Sequence, residues 1–270
     1  MTINEDIGRF NSEGYVLIRN VFSPQQITAW REVFLTELEN QKSRLLVDGI
    51  LKYQEMRDAL ETPQLLNAIT LLLGKPFVVL PLSSVDHNRF GLYHTDTSGI
   101  EMEGLTFHLR DDFNVIEIGI YLQDNDEFGG GLRLVPETHR LPDPYVGLLK
   151  KKHATRKAVD SSLVKRTLKT LSRGRLFGWR DREFETVPGE IDIQTKAGDV
   201  IIWDVRIVHR ASPNKMGREG IPGGKIALFY GCGANNQPTA EYVAHMKKRE
   251  YGEGSPPRRM PSPHESYRVT

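Results

Sequence analysis

From residue 77 onward the chain is a succession of short runs rich in Val, Ile and Tyr: PFVVLPL, NVIEIGIYLQ, GLRLVP, IDIQ, DVIIWDV and KIALFYG. Turn formers divide most of them, namely Asp126, Gly129 to Gly131, Pro136, Gly198 and Pro222 to Gly224. Short strands punctuated in this way build sandwiches and barrels, of which the eight-stranded jelly roll is one form. No fixed period recurs, which argues against a propeller or solenoid.

The N-terminal third reads differently. After a strand at YVLIRN (15–20), Ser23 fits as an N-cap, Pro24 as the first helical residue and Gln26 as the capping-box partner. Ile27, Trp30, Phe34 and Leu38 then recur at helical spacing, so an amphipathic helix is expected there. The fold expected is mainly β with flanking helices: a double-stranded β-helix, or cupin-like jelly roll, with N-terminal helices packed on it. Residues 1–270 are read as a single domain: a mostly helical part (1–76), a core (77–236) with a basic insertion at 149–183, and a C-terminal helix and Pro-rich tail (237–270).

At 270 residues the chain is long enough for a sizeable core. The formal charge of +1 hides an asymmetry, because Lys150 to Arg182 holds twelve Lys or Arg against Asp160 and Asp181, leaving the remainder acidic. Asp160 could cap a short helix within this stretch. A single cysteine, Cys232, excludes an internal disulfide, and MTINEDIGRF lacks the basic and apolar regions of a secretory signal. No apolar run approaches the length of a membrane span. A soluble, cytoplasmic protein is expected.

The chemistry concentrates in two histidine settings. His94-Thr95-Asp96 has the spacing that puts residues i and i+2 of a strand on one side, and two histidines with one carboxylate are a common ferrous-iron ligand set. Alone the pair is weak, since a chain with eight histidines and 35 Asp or Glu meets such a spacing by chance. The other setting, His108 with Asp111 or Asp112, has the wrong spacing for one strand face. Downstream, AGDVIIWDVRIVHRASPN reads as a Gly-Asp turn and an apolar strand with His209 at its far end, and YLQDNDEFGGGLRLVPETHR as strand, Gly-rich turn and a strand running into Pro-x-Thr-His.

Taken in order, GYVLIRNVFSPQQI, the His-x-Asp, the Pro-x-Thr-His strand and the Gly-Asp strand closing on His-x-x-Ser-Pro-Asn resemble the phytanoyl-CoA dioxygenase family of iron(II)- and 2-oxoglutarate-dependent oxygenases, over nearly the whole chain. The resemblance implies His94, Asp96 and His209 as iron ligands, with 2-oxoglutarate and dioxygen as cosubstrates and ascorbate as a stimulant. It favours His94 over His108, which is followed two places on by Arg110. His108 and His139 are then expected near the substrate or behind the ligands, or as plain structural histidines. Glu137 stands where the family has glycine before Ser/Thr-His. His87, His153, His245 and His264 have no companion motif.

The resemblance also implies a cation soon after the second histidine to pair with the distal carboxylate of 2-oxoglutarate. Position favours Lys225, which opens KIALFYG; residue type favours Arg218, whose guanidinium can bind a carboxylate through two parallel bonds. Arg206, three residues before His209, is expected to face the other way along an alternating strand. Related halogenases have a small residue in place of Asp96 to make room for halide, so the resemblance implies hydroxylation or another oxidation. The basic insertion suggests a small anionic substrate, such as an acidic sugar, a CoA-linked molecule or a lipid headgroup, or contact with an anionic membrane surface. Nucleic acid is not expected, because the chain is nearly neutral and has no aromatic-interleaved basic stripe. Two alternatives use the same residues: a cupin-type metal enzyme without 2-oxoglutarate, and a non-catalytic binding protein.

Overall fold

The computed structural model describes residues 3–42, 45–46, 53–80, 83–88, 93–140, 187–212, 224–250 and 267–269. The basic insertion, with Asp160 and His153, lies outside these, as do Arg218 and His264.

Four helices precede the main run of strands: α1 (Ile3–Glu13), α2 (Pro24–Asn40), α3 (Gln54–Glu61) and α4 (Pro63–Leu73). The start of α2 follows its sequence signals. The Ser23 side chain accepts from the Gln26 backbone, the Gln26 side chain accepts from the Ser23 backbone, and Pro24 opens the helix. The two bonds satisfy backbone donors that a helix start otherwise leaves open. The buried residues of α2 are the four spaced at helical intervals, Ile27, Trp30, Phe34 and Leu38.

Among the described residues the strands are β1 (Tyr15–Ile18), β2 (Leu45–Leu46), β3 (Phe77–Val79), β4 (Ser84–His87), β5 (Val115–Tyr121), β6 (Leu132–Val135), β7 (Ile191–Ile193), β8 (Val200–Asp204), β9 (Val208–Ala211), β10 (Ile226–Ala234) and β11 (Tyr267–Val269). The main antiparallel sheet runs β1-β8-β5-β10-β3-β11, with β4 also on β10 and β2 on β4; a second sheet runs β7-β6-β9. The nine residues of β10 give it reach. One edge meets β4 and then β3, while the other meets β5 from Ala227↔Tyr121 to Gly233↔Val115. Further helices are α5 (Ser98–Met102), α6 (Asn125–Phe128) and, at the C-terminal side, α7 (Gln237–Glu250).

Alternation along the strands creates two cores. Ile116, Ile118, Ile120, Val200, Ile202, Ile226, Leu228, Tyr230 and Cys232 form one cluster with Ile27, Trp30, Phe34, Met56, Leu65 and Ile69 of the helices. Tyr15, Tyr121, Ile201, Trp203 and Ala227 form another with Leu132, Leu134 and Ile193 of the second sheet. Helices on the outside and a second sheet facing the inside make the jelly roll expected from the sequence. Cys232 sits on the helix side, and burial pushes its thiol pKa up. Among the described residues no helix is long and apolar enough to cross a membrane.

The Gly-Asp turn ties the N-terminal strand to the core. Gly198 has φ +94 and its carbonyl accepts from Val21 and Phe22, while a Cβ there would sit 2.4 Å from the Phe22 carbonyl oxygen, so only glycine fits. Asp199 accepts from the Arg19 guanidinium at 2.7 Å and from the Asn20 backbone at 2.9 Å.

Candidate metal centre

The strand expected to run from Gly198 to His209 is two strands. β8 ends at Asp204 in the main sheet, a turn occupies 205–207, and β9 carries His209 in the second sheet. Arg206 therefore lies in the turn, where it grips Asp204 with two nitrogens, at 2.9 and 2.6 Å. His209 is paired with Leu134 in the ladder, on the side facing the interior.

His94 and Asp96 do not share a strand either. His94 makes an isolated bridge to His209, with backbone bonds of 3.0 and 2.9 Å in the two directions. Asp96 lies in the turn that leads into α5, and its backbone N–H donates to the Val205 carbonyl at 3.0 Å. Two backbone anchors thus replace strand alternation in bringing the side chains together.

One atom from each of His94, Asp96 and His209 lies within 4.8 Å of the other two. The closest approaches, His94 Nε2 to Asp96 Oδ1 at 3.6 Å and His209 Nε2 to Asp96 Oδ2 at 3.9 Å, are too long for hydrogen bonds. Asp96 Oδ2 is buried and has no hydrogen-bond partner. The rings of His94 and His209 stand 4.4 Å apart at their centroids. Three ligand atoms that converge without bonding one another suit a cation, and two imidazoles with one carboxylate suit ferrous iron with positions left open.

The surroundings of His209 leave its ring able to take such a role. Its Nδ1 lies 3.0 Å from the Ile207 carbonyl and, as a donor to it, leaves Nε2 with the lone pair directed at Asp96. Burial lowers its pKa to about 4, against the opposing pull of Asp96. The imidazole is therefore neutral near pH 7 and able to bind a metal. Trp203 packs against it at 5.4 Å. Thr138, in the Pro-x-Thr-His turn, accepts from the Val208 backbone at 2.9 Å and so fixes the start of β9. That residue was not singled out by spacing, because the bond joins the ends of two neighbouring strands of the second sheet that lie 70 positions apart in sequence.

His108 and His139 come together in a separate cavity of about 310 Å³, which they line with Thr97, Glu101, Arg110 and Arg206 among others. Both are committed to protein partners. His108 is 1 % exposed, with Nε2 3.1 Å from Glu101. Burial holds His139 below its usual pKa; its Nε2 is 3.3 Å from the Asn11 carbonyl and its ring packs on Gly14. Arg140 donates to the same carbonyl, and the Glu137 backbone donates to Glu13 at 2.9 Å. The Pro-x-Thr-His turn docks on the end of α1. Of the other histidines, His87 lies on β4 and His245 is buried on α7, 3.4 Å from Glu103.

Lys225 is 2 % exposed. Strand alternation along β10 puts it on the side of Ala227 and Phe229, facing the interior, and its Nζ lies 5.7 Å from the Tyr121 ring centroid. Ring contacts continue from Tyr121 to Phe229 at 6.2 Å, from Phe229 to Trp203 at 6.2 Å and from Trp203 to His209.

Sequence reading missed one further interior residue, Glu117 on β5, which lies opposite Trp203 and Gly231 in the ladder. Burial, then the charges of Asp96 and Asp86, raise its pKa well above the ordinary carboxylate range. The available signal was a lone glutamate in VIEIGIY, a strand apolar at nearly every other position.

Residues 92–218, which contain all three metal-ligand candidates, match the family described as Phytanoyl-CoA dioxygenase (PhyH). The enzyme class expected from the sequence, an iron(II)- and 2-oxoglutarate-dependent dioxygenase, agrees with that family. No curated protein matches the chain. Among solved structures, the non-heme alpha ketoglutarate dependent epimerase SnoN from nogalamycin biosynthesis is similar at 15 % identity and TM-score 0.55, covering 96 % of this chain and 94 % of its own. HygX from Streptomyces hygroscopicus, with nickel and 2-oxoglutarate bound, is 16 % identical at TM-score 0.56, with 87 % of each chain covered. EctD from S. alaskensis with bound Fe is 16 % identical at TM-score 0.57, covering 87 % of this chain and 77 % of its own. At such identities the likeness is one of fold.

Proposed function

We infer, from the premise that residues 92–218 belong to the phytanoyl-CoA dioxygenase family, that the chain is an iron(II)- and 2-oxoglutarate-dependent oxygenase that oxidises a C–H bond of a small molecule. The observation that carries this reading is the unbonded convergence of His94, Asp96 and His209 at the interior of the jelly roll. Iron and 2-oxoglutarate, when bound, supply the oxidising power, with dioxygen consumed and succinate and carbon dioxide released.

The protein's own residues do the holding and shielding. Neutral His209, oriented through the Ile207 carbonyl, offers Nε2 to the metal. His94 and Asp96 hold the same side, and Asp96 gains for Oδ2 the partner that the protein does not supply. Lys225 is assigned to the distal carboxylate of 2-oxoglutarate, supported by its burial and its place on the inner face. Trp203 and Phe229 wall the space between Lys225 and His209 with apolar surface and keep water out.

The test is succinate formation under air with ferrous iron, ascorbate and 2-oxoglutarate. Succinate that requires added iron and disappears in Asp96→Ala is the expected result. Formation that is independent of iron, or that survives in Asp96→Ala, contradicts the reading. The anionic substrate expected from the basic insertion rests on residues outside those described.

A further inference from the structure

Glu117 stands in the interior in a row shared with Trp203 on β8 and Gly231 on β10. Its neighbours by alternation on β5 are Gly119 and Tyr121, and Tyr121 belongs to the cluster between the two sheets. The two flanking glycines keep the wall low. A Cβ on Gly231 would lie 3.3 Å from the Glu117 carboxylate oxygen, and one on Gly119 would press on the Trp203 ring at 3.0 Å.

No cation among the described residues answers this carboxylate. After burial, the groups that act on it are two more carboxylates, Asp96 and Asp86, and among the described residues it has no hydrogen-bond or ion-pair partner. Deep enclosure raises its pKa, yet the residue retains some accessible surface, as a side chain on a cavity wall does. The same row holds a second unmet group: Trp203 is 2 % exposed and its indole Nε1 has no hydrogen-bond partner. The Glu117 carboxylate keeps some access to solvent, whereas a buried donor such as Trp203 Nε1 is nearly always paired, so the two residues, opposite one another in the ladder, mark a wall that a ligand completes.

We propose that Glu117 is a specificity-determining residue that receives a protonated amine of the substrate beside the Trp203 ring. The proposal rests on the oxygenase reading above and names the substrate class of that same site. An ammonium group supplies the missing counter-charge and hydrogen bonds, and favours the ionised carboxylate that burial otherwise opposes. An anionic substrate brings no counter-charge and pushes the carboxyl further toward its neutral form, so the wall favours the amine.

The probes are three molecules of one skeleton: benzylamine, benzyl alcohol and benzoate. Each is titrated anaerobically by calorimetry into the protein already loaded with ferrous iron and 2-oxoglutarate. Benzylamine is expected to bind at least about tenfold more tightly than the other two, the size of a charge-assisted hydrogen bond. In Glu117→Gln, which keeps the side chain's shape, the preference collapses, and Glu117→Asp restores part of it. Equal affinities, no binding of any probe, a preference for benzoate, or an amine preference that survives in Glu117→Gln would each overturn the proposal. Failure of the unmodified protein to take up iron and 2-oxoglutarate, seen before any probe is added, overturns the oxygenase reading instead.

Discussion

Along β10, Ile226, Leu228, Tyr230 and Cys232 belong to the cluster beneath the helices, whereas Lys225, Ala227 and Phe229 alternate to the side between the sheets. On β5 the same division sets Ile116, Ile118 and Ile120 against Glu117, Gly119 and Tyr121. The outer face is aliphatic and met by α2, α3 and α4. The inner face is aromatic and charged, and keeps Asp96 Oδ2 and Trp203 Nε1 without partners. On these two strands, parity decides whether a side chain meets the helices or faces the interior.

The largest effect should divide the faces cleanly. Asp96→Ala should abolish iron-dependent succinate formation while leaving the thermal midpoint of the metal-free protein unchanged or higher, because it removes a buried acceptor with no partner. Phe34→Ala on the outer side should do the reverse. It should cost about 3 to 5 kcal/mol in denaturant unfolding and leave iron binding intact wherever the fold persists. A variant that moved both readouts together would break the division.

Acid should expose the cost of the inner face. His209 has a folded pKa of about 4 against 6.5 when unfolded, so between these values the unfolded chain binds the extra proton. Stability through this group is therefore full above about pH 6.5 and falls as pH drops toward 4, a loss of about 2 kcal/mol by pH 4.5. Chemical unfolding of the metal-free protein at pH 7 and pH 4.5 should show a smaller drop in His209→Gln than in the unmodified chain. Equal drops would show that His209 is not buried in the neutral form.

Smaller effects sharpen the picture. Lys225→Ala should weaken 2-oxoglutarate binding by about tenfold, and Arg218→Ala should do so less. The opposite order in anaerobic titrations would move the cosubstrate anchor to Arg218. At the rim, Glu137 is held at φ +69, in the left-handed region that favours glycine. Glu137→Gly should stabilise the protein by about 1 kcal/mol, read as a raised unfolding midpoint, and leave turnover unchanged.

Much of this was legible in the sequence because it is local. The cap of α2 needs only residues 23 to 26, and strand-forming runs announce themselves by composition and turns. The three ligand candidates were found by motif, although the reason they converge was not. Strand alternation was expected to align His94 with Asp96, whereas a backbone bridge to His209 and a bond to Val205 do so. The break between β8 and β9 is invisible in the apolar run around it, since Val205 and Ile207 are as buried as the strand residues. For His108 and His139 the sequence leaves a place near the site and a structural role both open. Their partners, Glu101 and the Asn11 carbonyl, come from separate elements and became evident only in three dimensions.

The most direct test of the account is an anaerobic titration of the metal-free protein with ferrous iron, followed by 2-oxoglutarate, in the unmodified chain and in His209→Ala. The account predicts a single tight iron site, 2-oxoglutarate binding that depends on it, and loss of both in the variant. Iron bound equally well by His209→Ala would place the metal elsewhere and contradict the centre described here.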